Sequence, residues 1–279
     1  MKICDFYKSN KAVISFEIFP PKKDGDIDTV YRTVNDLYAL SPDVISVTFG
    51  AGGSESGLTA QIAGHIKESG IEPLAHLTCV GTEKSGIERI VEDFKRRGIQ
   101  NILALRGDGA AGSGFTYAKD LIAALKNRGF CIGAAAYPEG HISCDNLDDD
   151  IRYLKQKEGA GAEFFITQLF FENGIFYRFL EKARAAGITA PVSAGIMPIL
   201  SKAQLERMIF MCGASLPAPI IKLVNKYGEE GESLLKAGVE YSYRQMQDLC
   251  DNGAQGIHIY TMNKPFIAEY CVRRLRCAR

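Results

Sequence analysis

Strand-like runs recur along this chain about every thirty residues, the length of one strand plus one crossover helix, and this spacing constrains the fold more than any other feature. "AVISFEIFP", "DVISVTFG", "EPLAHLTCV", "NILALRGD", "CIGAAAYP", "AEFFITQLFF" and "PVSAGIMP" start at positions 12, 43, 72, 101, 131, 162 and 191, and "GIHIYTMN" starts at 256. Between them lie stretches with apolar residues three and four apart, such as Ile87, Ile90, Val91 and Phe94, or Leu121, Ile122 and Leu125. That period marks helices packed on a sheet. Gly70, Gly98, Gly129, Gly159, Gly187 and Gly213 fall where such helices should end in a left-handed residue. Strands apolar on both faces and alternating with helices require a parallel sheet, and eight such units close into a (β/α)8 TIM barrel. The expected architecture is an α/β single domain over residues 1–279. Residues 199–255 read as an extended helical crossover before the eighth strand.

Lysine plus arginine and aspartate plus glutamate both total 33, so no excess field favours nucleic acid or an anionic membrane as the main partner. A small-molecule substrate fits better. The polar start "MKICDFYKSNK" is unlike a secretory signal, and no apolar run reaches the roughly 18 residues that span a bilayer, so the expected location is the cytoplasm. Eight cysteines at 4, 79, 131, 144, 212, 250, 271 and 277 show no C-x-x-C pair and no zinc spacing. They read as ordinary reduced thiols.

Barrel chemistry sits where strands run into the following loops. The polar residues at those ends are Glu17, Thr48, His76 with Thr78, Arg106 with Asp108, Tyr137 with His141, Gln168, and Tyr260 with Asn263 and Lys264. Alternation along the first strand places Val13, Ser15 and Glu17 on one face and Ile14, Phe16 and Ile18 on the other. Glu17 then points inward near the top of the barrel, where poor solvation favours a neutral acid able to give up its proton. The competing reading is a buried carboxylate satisfied by an arginine such as Arg106. Gln168, in the apolar "FFITQLFF", needs hydrogen-bonding partners from the backbone or a ligand. His65 and His258 read as surface or packed structural residues, whereas His76 and His141 could reach one ligand in the mouth. "RGDGAAGSG" holds G-x-G-x-x-G at Gly107, Gly109 and Gly112. It lacks the acidic residue about twenty positions on that a Rossmann site needs, so a loop offering backbone amides is preferred.

"SFEIFPPK", "VTFGAGG", "HLTC", "LALRGD", "AAYPEGH", "ITQLFF", "GIMP" and "YTMNK" follow one another at nearly every strand end. In that order, from about residue 12 to 265, the chain resembles the bacterial methylenetetrahydrofolate reductases. The resemblance implies an FAD enzyme of one-carbon metabolism. Bound FAD is reduced by NADH or NADPH, the nucleotide leaves, and hydride passes to 5,10-methylenetetrahydrofolate to give 5-methyltetrahydrofolate. Glu17 would be the general acid that protonates the folate as its imidazolidine ring opens. Asp108 would lie between flavin and pterin, and Gln168 would hydrogen-bond the pterin. Thr48, His76, Arg106, Gly107, Tyr117, Ala118, Tyr137 and His141 would hold FAD, with Asp150 and Lys157 near its ribose and phosphates. Lys264 would face the folate tail, where relatives often carry arginine.

Two departures stand out. Tyr153 and Gln156 occupy helix positions where relatives often place asparagine and arginine, which weakens the pyrophosphate assignment there. "PAPIIKLV" also differs from relatives that carry glutamine and phenylalanine in this crossover. The resemblance further implies a homo-oligomer. Alternatives are the same folate chemistry with electrons from ferredoxin or a partner subunit, a Schiff-base aldolase using Lys264, and a non-catalytic barrel serving as a partner subunit.

Overall fold

A computed structural model describes residues 1–9, 11–21, 25–49, 56–108, 114–228 and 230–275. Its strands are β1 Val13–Ile18, β2 Val44–Val47, β3 Glu72–Thr78, β4 Asn101–Leu105, β5 Cys131–Ala136, β6 Phe164–Thr167, β7 Val192–Ile196 and β8 Gly256–Tyr260. They form a closed barrel in chain order, every neighbouring pair parallel, with β8 returning to β1. This is the (β/α)8 barrel that the recurrence predicted, and each strand starts within two residues of the start read from sequence.

The helices are α1 Ile3–Phe6, α2 Ile27–Tyr38, α3 Ser56–Glu68, α4 Lys84–Arg96, α5 Ala118–Leu125, α6 Leu147–Ala160, α7 Asn173–Ala185, α8 Lys202–Cys212, α9 Ala218–Tyr227, α10 Gly231–Asp251 and α11 Pro265–Val272. The extended crossover before β8 is therefore α8, α9 and α10. Ser201 starts α8 by accepting a hydrogen bond from the Gln204 amide, and Gly213, left-handed at φ 67°, ends it. One expected stop is displaced: Gly159 lies inside α6, and Gly161, at φ 127°, turns the chain instead. Two glycines a residue apart satisfy the same pattern, and the backbone bonds from Gly161 and Ala162 to the last-turn carbonyls decide between them.

Alternation divides the strand residues into two apolar populations. Ile14, Phe16, Ile18, Ile45, Val47, Leu77, Ile102 and Ile259 face outward and pack with Val34, Leu37, Ile62, Ile66, Val91 and Phe94 of the helices. Full burial of each such side chain contributes about 1.5–3 kcal/mol before chain entropy is counted. Val13, Val44, Leu74, Leu103, Cys131 and Phe164 face inward and, with Ile3 of α1, plug the N-terminal floor. Gly133 has no side chain because a Cβ there would run into the Phe164 ring. The short α1 is pinned beneath: the Ile3 amide donates to Asn101 Oδ1 at 2.8 Å, and the Tyr7 and Ser193 hydroxyls meet at 2.7 Å.

Cysteines 4, 79, 131, 144, 212 and 271 are free thiols. Cys250 is disulfide-bonded, which corrects the expectation of reduced thiols throughout. Among the described residues, no helix is long and apolar enough to cross a membrane.

Candidate active site

The alternation read in β1 holds: Phe16 and Ile18 enter the outer layer, and Glu17 points into the barrel, 7% exposed, one residue from the C-terminal end of its strand. Its partners come from strands far away in sequence. His258 Nε2 lies 3.3 Å from Glu17 Oε2, and His258 Nδ1 lies 2.8 Å from the hydroxyl of Ser15, two residues below Glu17. Closure of the barrel makes this contact, because β8 pairs with β1 in a register that opposes Ser15 to His258. His76 Nε2, from β3, lies 3.6 Å from the same carboxylate oxygen and has no hydrogen-bond partner among the described residues. Burial holds the His76 imidazole down at about 4, although the Glu17 charge pulls the other way, so the ring is neutral near pH 7.

The alternative reading of Glu17, an ion pair with Arg106, is not what the fold builds. Arg106 is exposed and donates to the Gly107 carbonyl at 3.2 Å. The basic groups close to Glu17 are His258 and His76. His258, read from sequence as a packed structural residue, is thus the nearest polar neighbour of the candidate acid.

Tyr260, also from β8, crosses the interior: its hydroxyl donates to the Thr167 carbonyl at 2.8 Å and its ring stands edge-on to His258 at 5.1 Å. Gly195 makes room for it, since a side chain there would meet that carbonyl and the Tyr260 ring. Thr261 Oγ1 donates to the Glu17 carbonyl at 2.6 Å, and Asn263 clamps both backbone groups of Phe19. Through these bonds the β8 exit fixes the β1 exit.

Beside this cluster a cavity of about 490 Å³ opens over β4 and β5, bounded by α5 and α6. It gathers seven of the residues assigned to a cofactor: Arg106, Tyr117, Ala118, Tyr137, His141, Asp150 and Lys157. Thr48, Gly107 and Asp108 leave their strands at the same end but do not line it, nor does His76, which stays beside Glu17. Lys119, Ser143, Cys144 and Tyr153 line it as well and were not identified from sequence as binding residues. Gln156 does not face a ligand alone: its Oε1 accepts from Lys119 Nζ at 2.8 Å, tying α6 to α5.

The cavity wall is cross-braced. Asp150 Oδ2 accepts from the His141 amide at 2.8 Å, and Lys157 Nζ donates to the Ala135 carbonyl at 2.8 Å while standing 5.3 Å from the centre of the Tyr137 ring. Burial lowers Lys157 to about 8, with Asp150 opposing, so the ammonium keeps most of its charge at pH 7. Burial raises Asp150, against the His141 amide and Lys157, and lowers His141.

Gln168 follows β6 and spends its Oε1 on the Leu169 amide at 2.9 Å. Lys264 is exposed at the start of α11, so it lacks the desolvation that activates a Schiff-base lysine. Lys22 of the first motif, residues 50–53 of the second, and Gly109 and Gly112 lie outside the described residues.

The family model for methylenetetrahydrofolate reductase matches residues 2–275. The chain is 33% identical over 255 residues to the 5,10-methylenetetrahydrofolate reductase of Escherichia coli, covering 90% of this chain and 86% of that protein. It is 32% identical over 288 residues to methylenetetrahydrofolate reductase (NADH) 1 of Arabidopsis thaliana, covering 94% of this chain but only 49% of that one, so it spans about half the plant relative's length. Among solved structures, a Clostridium thermocellum protein described as binding two copies of 5-methyl-5,6,7,8-tetrahydrofolic acid matches at TM-score 0.66 and 17% identity over 96% of both chains. Tryptophan synthase of Mycobacterium tuberculosis matches at TM-score 0.55 and 11% identity over 99% of this chain and 95% of that one, which reports the barrel fold alone. With the family model spanning nearly its whole length, the chain belongs to the methylenetetrahydrofolate reductase family.

Proposed function

We propose that this barrel, over residues 1–279 as one catalytic unit, reduces 5,10-methylenetetrahydrofolate to 5-methyltetrahydrofolate with electrons from NADH or NADPH passed through FAD. The observation that carries this reading is the buried Glu17 carboxylate, held between two histidine rings inside the C-terminal mouth of a chain of this family.

The residues present fit a flavin dinucleotide. The cavity combines the rings of Tyr117, Tyr137 and Tyr153 with the cations Arg106, Lys119 and Lys157. Flat aromatic walls suit planar rings, and the cations suit a pyrophosphate. Arg106, Tyr117, Ala118, Tyr137 and His141 would hold FAD together with Thr48, His76 and Gly107, and Asp150 and Lys157 would face its ribose and phosphates. His76 Nε2, buried beside Glu17 without a hydrogen bond among the described residues, is a polar atom that a bound ligand would satisfy. When bound, FAD supplies the hydride chemistry.

The protein's own task is then to bind, orient and give one proton. Glu17 donates that proton to the opening imidazolidine ring of the folate. His258, bonded on its other nitrogen to Ser15, holds the carboxyl in place. A positioned acid contributes about 10²- to 10⁴-fold, or roughly 3–5 kcal/mol of barrier. Asp108, on the loop after β4, offers a carboxylate to the pterin and to a developing cation. Gln168, its oxygen engaged by the Leu169 amide, offers the side-chain N–H groups to the pterin. Lys264, exposed at the rim, attracts the glutamate carboxylates of the folate tail.

The test is the visible spectrum of the purified chain, followed by anaerobic addition of NADH or NADPH and then of 5,10-methylenetetrahydrofolate. A yellow protein bleached by one nucleotide and recoloured by the folate is the expected result. Bleaching by neither, with recolouring after chemical reduction, assigns electron delivery to another protein. A chain that neither carries nor takes up FAD overturns the proposal.

A further inference from the structure

At the opposite end of the barrel the fold assembles a donor set that no sequence motif announces. Cys4 lies in α1, Cys131 is the first residue of β5, and Glu163 directly precedes β6. One ligand atom from each, two thiol sulfurs and a carboxylate oxygen, lies within 4.8 Å of the other two. The backbone fixes them there. The Cys4 amide donates to Cys131 Sγ at 3.3 Å, and Glu163 Oε1 accepts from the Ile132 amide at 3.2 Å. Cys131 is fully buried, whereas Cys4 and Glu163 are partly exposed, so the cluster is dry on one side and reached by solvent on the other.

Two thiolates and one carboxylate suit a borderline-soft divalent cation. A tetrahedral site with metal–sulfur bonds of about 2.3 Å has ligand–ligand edges of about 3.8 Å, so atoms already within 4.8 Å of one another need to close by no more than about 1 Å. An amide N–H aimed at a thiolate sulfur is the outer support such ligands require. We propose that Cys4, Cys131 and Glu163 bind one thiophilic divalent cation, with zinc as the reference metal and water as the fourth ligand, at the floor of the barrel. Binding breaks both S–H bonds, releases two protons to solvent and forms two metal–sulfur bonds, with no change of oxidation state. Because both thiols must lose their protons to bind, affinity increases with pH. The bound ion ties α1 to β5 and β6, segments joined otherwise by hydrogen bonds and packing.

The test uses the full chain, reduced with a phosphine and stripped with a chelator, and Co²⁺ as the spectroscopic probe. The expected result is a thiolate-to-cobalt charge-transfer band that saturates at one equivalent per chain, releases about two protons per metal and is abolished by competing Zn²⁺. Cys4→Ser and Cys131→Ala each abolish the band, and Glu163→Gln weakens binding by about tenfold or more. A band that survives Cys131→Ala, or the absence of saturation below millimolar metal, overturns the proposal. Should Cys131→Ala fail to fold, X-ray absorption of the zinc-loaded wild-type chain decides. Two sulfur ligands per zinc support the site, and fewer than two overturn it. None of these readouts depends on the reaction proposed at the mouth.

Discussion

At the floor of the barrel, polar groups that leave water meet each other: Tyr7 meets Ser193, and Asn101 receives the Ile3 amide, all set against an apolar plug built around Phe164. At the mouth, Glu17 has one bond at 3.3 Å to His258, while His76 Nε2 and the hydroxyl of Ser46, which opposes Glu17 across the β1–β2 pair, are buried without hydrogen bonds among the described residues. An unmet buried polar atom costs about 1–3 kcal/mol. At the floor one such atom, Glu72 Oε2, also lacks a hydrogen bond among the described residues, but at the mouth two of them gather around Glu17. The difference teaches where unmet polar groups converge on one candidate acid and where an apolar plug with paired polar groups holds the barrel's shape.

The largest effect that would sharpen this contrast comes from Glu17→Gln, which keeps the shape and a hydrogen bond to His258 but removes the acid. The folate half-reaction should slow about 10²- to 10⁴-fold, while flavin content, nucleotide reduction and unfolding midpoint stay near wild type. Rapid-mixing measurement of each half-reaction separates these quantities, and normal folate turnover would strip Glu17 of its role. The matching blow to the floor is Phe164→Ala. It should lower unfolding free energy in urea by about 3–5 kcal/mol and leave the rate per folded molecule unchanged. A large loss of rate there would mean that the two ends are not separable.

A smaller effect appears in acid. An unfolded chain protonates His76 as pH falls through 6.5, whereas the folded chain takes that proton only at about 4. Between those values the unfolded state binds more protons, so stability that is present above 6.5 is lost as pH falls toward 4. At about 1.4 kcal/mol per unit the loss reaches at most about 3.5 kcal/mol. His76→Asn should flatten this limb of the stability–pH curve, and a limb that persists in the variant would place its origin elsewhere.

How much of this was legible in sequence depends on the range of the physics involved. Strand positions, the inward turn of Glu17 and the strand-end residues Arg106, Tyr137 and His141 follow from local alternation and from loops that leave strands at one end, whereas Tyr117, Ala118, Asp150 and Lys157 were reached only through the family resemblance. His258 was not legible as a partner of Glu17. "GIHIY" reads as a packed strand, and the contact exists only because closure brings β8 beside β1, 241 positions away. Lys119, Ser143 and Cys144 face the cavity because of loop and helix geometry that periodicity does not set. The same holds for Cys4 and Cys131, 127 positions apart, and for the choice of Gly161 over Gly159 as the end of α6.

The smallest predicted effect tests the floor at its own scale. Tyr7→Phe leaves the buried Ser193 hydroxyl without its partner, and Ser193→Ala leaves the Tyr7 hydroxyl, so each should cost about 1–2 kcal/mol. The double variant removes both polar atoms at once and should cost little more than the worse single, giving a coupling of about 0.5–1.5 kcal/mol. Unfolding of all four proteins in urea measures it. Turnover should be equal in all four, because the pair sits where β7 begins and Glu17 sits where β1 ends. Zero coupling joined to a fall in turnover would mean that the floor bonds set the barrel's shape at the mouth, and the separation between an end that holds shape and an end that holds chemistry would no longer hold.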